Sequence, residues 1–507
     1  MVNMGYVSMF LRRNAPPEEV LAPEKVIEGC AVGTIQEDGT KTTYVIEPDG
    51  ELRPSPEYLA PDRPIAQCLL GRSQRDPITL PDGTAATLEW IKPKTLHALH
   101  TVMERFNNFF PEVDGFERVP IQIESSDGLE PVLARVKQRH DSIAEVTRHY
   151  DAAALPLALL ARATSGDPVD VFVSLIADGR VIKSCDGTHQ ERHAARRAIS
   201  ENRVRGCVVD AVTLHIIRRL SLEKVVVAIC GPIGIVDATV LRQRQKVHEL
   251  EERIDEPDVT LFYRDSQYFR HEVTPERKRE MLDSLNGDIA WVGATTTVLP
   301  ATGITDPGQE WKPTIDRFGS DFLDEVRAAE AADRLLLCED RLLRGLAQLK
   351  FGLRTTWLQP VLMEAVEQRL MTRNEYLEAV VALIDCHLDF ISVDSALIVE
   401  SLHGARGHTL PPHFPKLAGR LGGRNADLLS HLGVALGAVA QFWRDMSLSP
   451  TLRAGAVGRI LENLCRERSP ATAHTILAEF FTAFGGEPRL TSYLHDWMRW
   501  HFIAPEQ

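Results

Sequence analysis

The sequence predicts a multidomain chain of α+β and α/β class. It comprises a small strand-rich module, a helical linker region, a parallel α/β sheet and an all-helical C-terminal region. Three observations predict it. Residues 29–93 alternate apolar and polar positions around Pro-Asp-Gly turn signals. From Gly206, apolar runs of strand length alternate with helix-period segments, the pattern of a parallel sheet with covering helices. Beyond about residue 373 the period is helical to the end.

A chain of 507 residues is too long for one ordinary core. The composition shifts divide it into an arm (1–28), the strand-rich module (29–112), the helical linker (113–203), the sheet domain (204–400) and the C-terminal helices (401–507). Hydrophobic content of 44% with 25% charged residues is that of a globular protein. A net charge of -14 argues against broad coating of nucleic acid but allows a local basic groove. None of the eight cysteines forms a C-x-x-C pair, and several lie in apolar runs such as VRGCVVD. They read as small buried hydrophobes in a reducing compartment. The N-terminal residues do not have the order of a secretory leader, and no apolar run reaches the ~18 residues of a membrane span. A cytoplasmic location is expected.

In the first module, KTTYVIEPDG is a strand ending on a turn, and DPITLPDGTAATLEWIK is a pair of strands about Pro-Asp-Gly. Between them PDRPIAQCLLGR is a short helix closed by Gly71. In the linker, LEPVLARVKQRHDSIAEVTRHY and LPLALLARATSG are helical. VDVFVSLIADGRVIKSCDG reads as β-like, and HQERHAARRAISENRVR as a basic helix. In the sheet domain, CVVD leads into the helix AVTLHIIRRL, and KVVVAICGP reads as a strand leading into IVDATVLRQRQKVHELEERI. DIAWVG reads as a further strand. DFLDEVRAAEAAD is a helix leading into the strand of RLLLCED, and TTWLQPVLMEAV follows.

Ligands of parallel sheets gather at the carboxyl ends of the strands. Asp210 ends CVVD and Asp340 ends RLLLCED; Asp237 opens a helix, and Asp321 and Asp324 lie at the start of another. Clustered carboxylates repel one another and call for a cation. Mg²⁺ or Mn²⁺ takes such oxygen ligands, and a bound water of lowered pKa can attack a phosphodiester in line. The competing reading is that each Asp simply caps its helix.

The ordered series CVVDAVTL, CGPIGIVDATVL, DFLDEVRAAEAADRLLLCEDRLLRGLA and TTWLQ, over about residues 204–400, resembles a PIN domain. Members of that family are mostly Mg²⁺/Mn²⁺-dependent ribonucleases. The resemblance implies that Asp210 is the first acid, Asp237 the second (usually Glu) and Asp340 the acid after the last catalytic strand. The third acid opens the preceding helix: Asp324 fits the spacing better, and Asp321 is the alternative. A long insertion before Asp321 departs from compact PIN domains. YLAPDRPIAQCLLGRSQRDPITLPDG resembles the FKBP-like C-terminal domain of Gre transcript-cleavage factors at Pro64, Ile65, Ala66, Leu70, Gly71, Arg72 and Asp76. That domain docks on RNA polymerase. The two together resemble bacterial proteins of the TPR-GreAB-C-PIN type, proposed conflict or stress effectors, and imply an RNA substrate and RNA polymerase as a partner. A catalytically idle interaction protein is the rival expectation.

Other features have two readings each. Arg192, Arg196, Arg197, Arg203 and Arg205, with Arg242, Arg244 and Lys246, are either phosphate contacts or a solvated face. His189 and His193 share a helix face without an evident third metal ligand. Thr213 either bonds a metal water or its own helix. Glu339 is expected to face away from the acids or to support them. Tyr263, Tyr268 and Phe269 either stack bases or pack a core.

Overall fold

The computed structural model describes residues 23–502 except 54–55, 110–128, 153–154, 165, 203–204, 304–305, 404, 406 and 424–426. The N-terminal arm up to residue 22, and Arg203 of the basic run, lie outside the described residues. The chain forms two compact units, Met1–Val132 and Leu133–Gln507.

The first unit is a five-stranded sheet in the order β3-β2-β1-β5-β4. Its strands are β1 (Cys30–Gln36), β2 (Lys41–Ile46), β3 (Tyr58–Leu59), β4 (Pro77–Thr79) and β5 (Ala85–Pro93). All pairings are antiparallel except β2 with β3. The helix Pro64–Leu69 starts on a proline, which needs no N–H there, and Gly71 follows at φ +77°. Val32, Ile46, Leu69, Ile78, Leu88 and Ile91 fill the core. A methyl at Gly33 would sit 2.3 Å from the Trp90 ring, so this close crossing of β1 and β5 requires glycine.

The second unit is built on a five-stranded sheet in the order β10-β7-β6-β11-β12, with every pairing parallel. The strands are β6 (Cys207–Val209), β7 (Ile233–Val236), β10 (Thr296–Leu299), β11 (Leu335–Leu337) and β12 (Thr355–Thr356). The three central strands, β7, β6 and β11, are short, apolar and fully buried because both of their faces are covered. Cys207, Val209, Ile233, Ile235, Leu335 and Leu337 face one core, and Val208, Val236 and Leu336 face the other. The first core runs on without a break into the C-terminal helices, through Phe442, Ile460 and Phe480. Two of those helices, Pro450–Cys465 and Pro470–Phe484, open on a Ser-Pro pair whose serine caps the first turn.

Four local readings of the sequence need correction. KVVVAICGP is not a strand: Glu223–Cys230 is a helix that buries Val226, Ile229 and Cys230 at helical spacing, and the strand is the adjacent IGIV. DIAWVG lies inside the long helix Pro275–Thr295. The β-like VDVFVSLIADG is mostly the helix Pro168–Ala177, capped by Asp167, and only Ile182 makes a strand-like bridge, to Leu388. The insertion carries a hairpin of β8 (Asp258–Arg264) and β9 (Gln267–Val273), on which Phe262 stacks with Phe269 and Tyr263 packs against Tyr268 with the rings tilted. Phe262, Tyr268 and Phe269 are exposed, so they do not pack a core. Among the described residues no helix is long and apolar enough to cross a membrane.

Candidate functional site

The chain runs from β6 to β7 and β10 on one side, then returns to β11 on the other side of β6. The carboxyl ends of β6 and β11 therefore flank the switch point, where parallel sheets leave a crevice. Each of these strands hands over directly to a helix through an aspartate. Asp210 ends β6 and caps Ala211–Arg219, its Oδ2 accepting from the N–H groups of Val212 (3.1 Å) and Thr213 (3.4 Å). Its Oδ1 is buried and, among the described residues, has no hydrogen-bond partner. Asp340 follows β11 and caps Arg341–Phe351, its Oδ1 accepting from Leu342 (3.0 Å) and Leu343 (3.2 Å). Its Oδ2 accepts from the Leu157 N–H at 2.5 Å. Both aspartates cap a helix, so the capping reading holds for them; capping leaves Asp210 Oδ1 unused.

The third buried acid is Glu325, not Asp324. Glu325 lies in the inward stripe of Asp324–Ala332 with Val326, Ala328 and Ala329. It lines a cavity of about 70 Å³ together with Asp210, Asp340, Asp321, Arg162 and Arg242. Burial pushes the Glu325 carboxyl up to about 7, with Asp210 and Asp324 adding repulsion. Burial also raises Asp340 to about 6, with a further push from Asp210, and raises Asp210 itself. Asp210 is thus the charge felt by both other acids.

The remaining predicted acids stand outside this trio. Asp321 lines the cavity but is ion-paired with Arg162. Asp324 is half-buried; burial raises its pKa and Arg327, 3.8 Å away, lowers it, while Asp237 adds repulsion. Asp237 is exposed, and its Oδ1 is 2.8 Å from the Ala238 N–H.

Glu339 does not face away to solvent. It is 1% exposed, accepting from the Ser184 hydroxyl and from the Leu358 N–H (2.8 Å). The Thr213 hydroxyl accepts from the Glu339 N–H at 2.8 Å, a partner that neither reading of this residue named. Beneath them the buried Arg344 donates to Cys338 O (2.7 Å) and Ser184 O (2.5 Å) and lies over the Trp357 ring. This buried network fixes the end of β11, and hence Asp340.

The predicted basic contacts scatter. Arg242 lines the acid cavity, its Nε donating to Ala238 O, and its charge lowers the pKa of both Glu325 and Asp324. Arg244 is exposed on the same helix. Arg196 is paired with Glu364 and Glu367, and Arg197 with Glu201. Arg192 bonds Ser392 and His189 and faces a different cavity. Arg205 pairs with Asp333 and Lys246 with Asp167 and Asp170. His189 and His193 are exposed, and His189 contacts Arg192.

Residues 208–349 match the PIN domain associated with the TPR-GreAB-C-PIN system, so this part of the chain is PIN-related and of a nuclease-like fold class. No curated protein and no solved structure matches the chain. PIN nucleases imply a divalent cation. In chemistry the residues fit one: three carboxylates on separate elements, of which Asp210 repels both others and, among the described residues, keeps one buried oxygen without a partner. In placement, among the described residues, no three His, Cys, Asp or Glu groups converge as a ready-made metal site.

Proposed function

We propose that the PIN-related unit is a metal-dependent ribonuclease whose ligands are Asp210, Glu325 and Asp340. The observation that carries this reading is the unpartnered buried Oδ1 of Asp210, beside two acids whose ionisation it opposes. Burying such groups without a counter-charge is costly, and removing one charge or adding a cation relieves it. A bound Mg²⁺ or Mn²⁺ supplies that charge together with a water of lowered pKa suited to in-line attack at phosphorus. Asp340 is held by three backbone N–H groups and Asp210 by two, so both are oriented before any ligand arrives. Arg242, at the edge of the same cavity, can hold a substrate phosphate.

The test is cleavage of labelled single-stranded RNA with Mn²⁺, Mg²⁺ or EDTA, comparing wild type with Asp210→Asn, Glu325→Gln and Asp324→Asn. Loss in the first two variants and retention in the third is expected. The second reading is an idle interaction protein, and the observation on its side is the pairing of Asp321 with Arg162, which occupies one expected ligand. No cleavage, with no Mn²⁺ binding by calorimetry, would establish that alternative. We further propose that the strand-rich unit brings the enzyme to RNA polymerase. Failure of the full chain to retain purified polymerase would remove that part.

A further inference from the structure

A second, larger cavity of about 530 Å³ lies where the loop before the helix His189–Asn202 meets the loops around Phe390 and Gly422. Its volume is that of a small-molecule site. Its lining is unusual in charge for a chain of net charge -14. Three arginines, Arg192, Arg420 and Arg466, line it, and among the described residues none of them is ion-paired with a carboxylate. The two acids of the lining are occupied elsewhere: Asp186 by Arg341, and Asp427 by the cap of the helix Leu428–Arg444.

Two buried donors of the lining have no partner among the described residues, Arg420 Nε and Trp357 Nε1. Burial and the neighbouring Arg466 work against the charge on Arg420, and the more weakly acting Asp385 and Asp389 favour it. The cavity therefore offers one guanidinium and one indole donor without an acceptor among the described residues, beside two further arginines, the complement of an acceptor-rich anion. It also offers a planar surface. Phe390, 49% exposed, sits at φ +47° with its ring over Gly187, where a methyl group would come within 2.8 Å of it. A bulky residue held in the left-handed region is uncommon and costs of order 1–3 kcal/mol.

We infer that this cavity is a binding site for a phosphorylated nucleoside, its phosphate held by Arg420, Arg466 and Arg192 and its base stacked on Phe390. The site is separate from the acid cavity and does not rest on the ribonuclease reading. The two are nonetheless joined through the protein. Trp357 lies under Arg344, which bonds the carbonyls of Cys338 and Ser184 on either side of Glu339.

The test is calorimetric titration of the full chain, in EDTA, with purine and pyrimidine nucleoside mono- and triphosphates, inorganic phosphate, and a 5′-phosphorylated RNA octamer. Saturable binding of at least one nucleotide, one per chain, is expected. Arg420→Gln and Arg466→Gln should each weaken it by about tenfold or more, the usual loss for a charge-assisted bond. Asp210→Asn should leave it unchanged, which separates this site from the acid cavity. Arg466 is exposed, so its replacement does not threaten folding. Any of four results overturns the inference: no nucleotide binding below millimolar concentration, inorganic phosphate binding as tightly as the best nucleotide, binding of the octamer alone, or unchanged affinity in Arg466→Gln.

Discussion

Replacing Glu325 by Gln should stabilise the metal-free protein at alkaline pH and leave it unchanged in acid. Folding raises this carboxyl from 4.5 to about 7. The folded state thus holds the proton more tightly than the unfolded state. That preference contributes stability fully below about pH 4.5 and is lost as pH rises through about 7. At about 1.36 kcal/mol per unit, the loss comes to roughly 3 kcal/mol by pH 8. Glutamine has nearly the same shape and does not titrate, so the difference between variant and wild type should grow from near zero to that value. Amide hydrogen exchange in β11 and the helix Asp324–Ala332 reports this unit alone, without summing over the strand-rich one. In EDTA the variant should be protected about 100-fold more than wild type at pH 8, and equally at pH 4.5. A ratio that does not change with pH, or a variant less protected at pH 8, would refute the idea that Glu325 is buried against its ionised form.

Adding Mn²⁺ at pH 6.5 should release protons from Asp340 and Glu325, whose raised values lie near 6 and 7; titrations in two buffers of different ionisation enthalpy would show a buffer-dependent heat. Asp340→Ala should cost about 1–3 kcal/mol through the lost cap and the orphaned Leu157 N–H, while Asp340→Asn keeps the cap and costs less, as read by thermal unfolding. Arg344→Met should cost about 3 kcal/mol in the same assay, because it strands two buried carbonyls and the Glu339 charge. Leu336→Ala, at a fully buried position of the sheet, should cost about 2–5 kcal/mol.

Much of the sheet edge was legible in the sequence. CVVD and RLLLCED each join an apolar strand to a helix through an aspartate, and both strands and both caps form where expected. The proposed third acid, Glu325, lies one residue beyond the expected Asp324. DFLDE offers three carboxylates, and spacing alone favours the one that opens the helix. The apolar stripe shows which of the three is buried: Glu325 lies three residues after Phe322 and four before Ala329, both buried, so it falls on the inward face. A carboxylate in an apolar stripe was the available signal. The run VVVAIC was misread because β-branched residues favour strands and a run this short fits either period. Asp237 opens its helix as expected, but the sequence does not show that it is exposed. The arginine-lined cavity was not legible at all, because its residues come from segments more than 200 positions apart, from Arg192 to Arg466.

The bond from the Leu157 N–H to Asp340 bears on how this unit can be cut. The PIN-related match begins at residue 208 and ends at 349. A fragment with those limits would leave behind Leu157 and Arg162, which wall the acid cavity, and Ser184, which bonds Glu339. It would also drop β12, the edge strand beside β11, and the Leu358 N–H that Glu339 accepts from. Excised in that way the domain would lose parts of its own site from both ends. A gene rearrangement that carried the acids to a new protein would therefore have to carry the stretch from about residue 155 to the helix beginning at Leu358 as one inheritance.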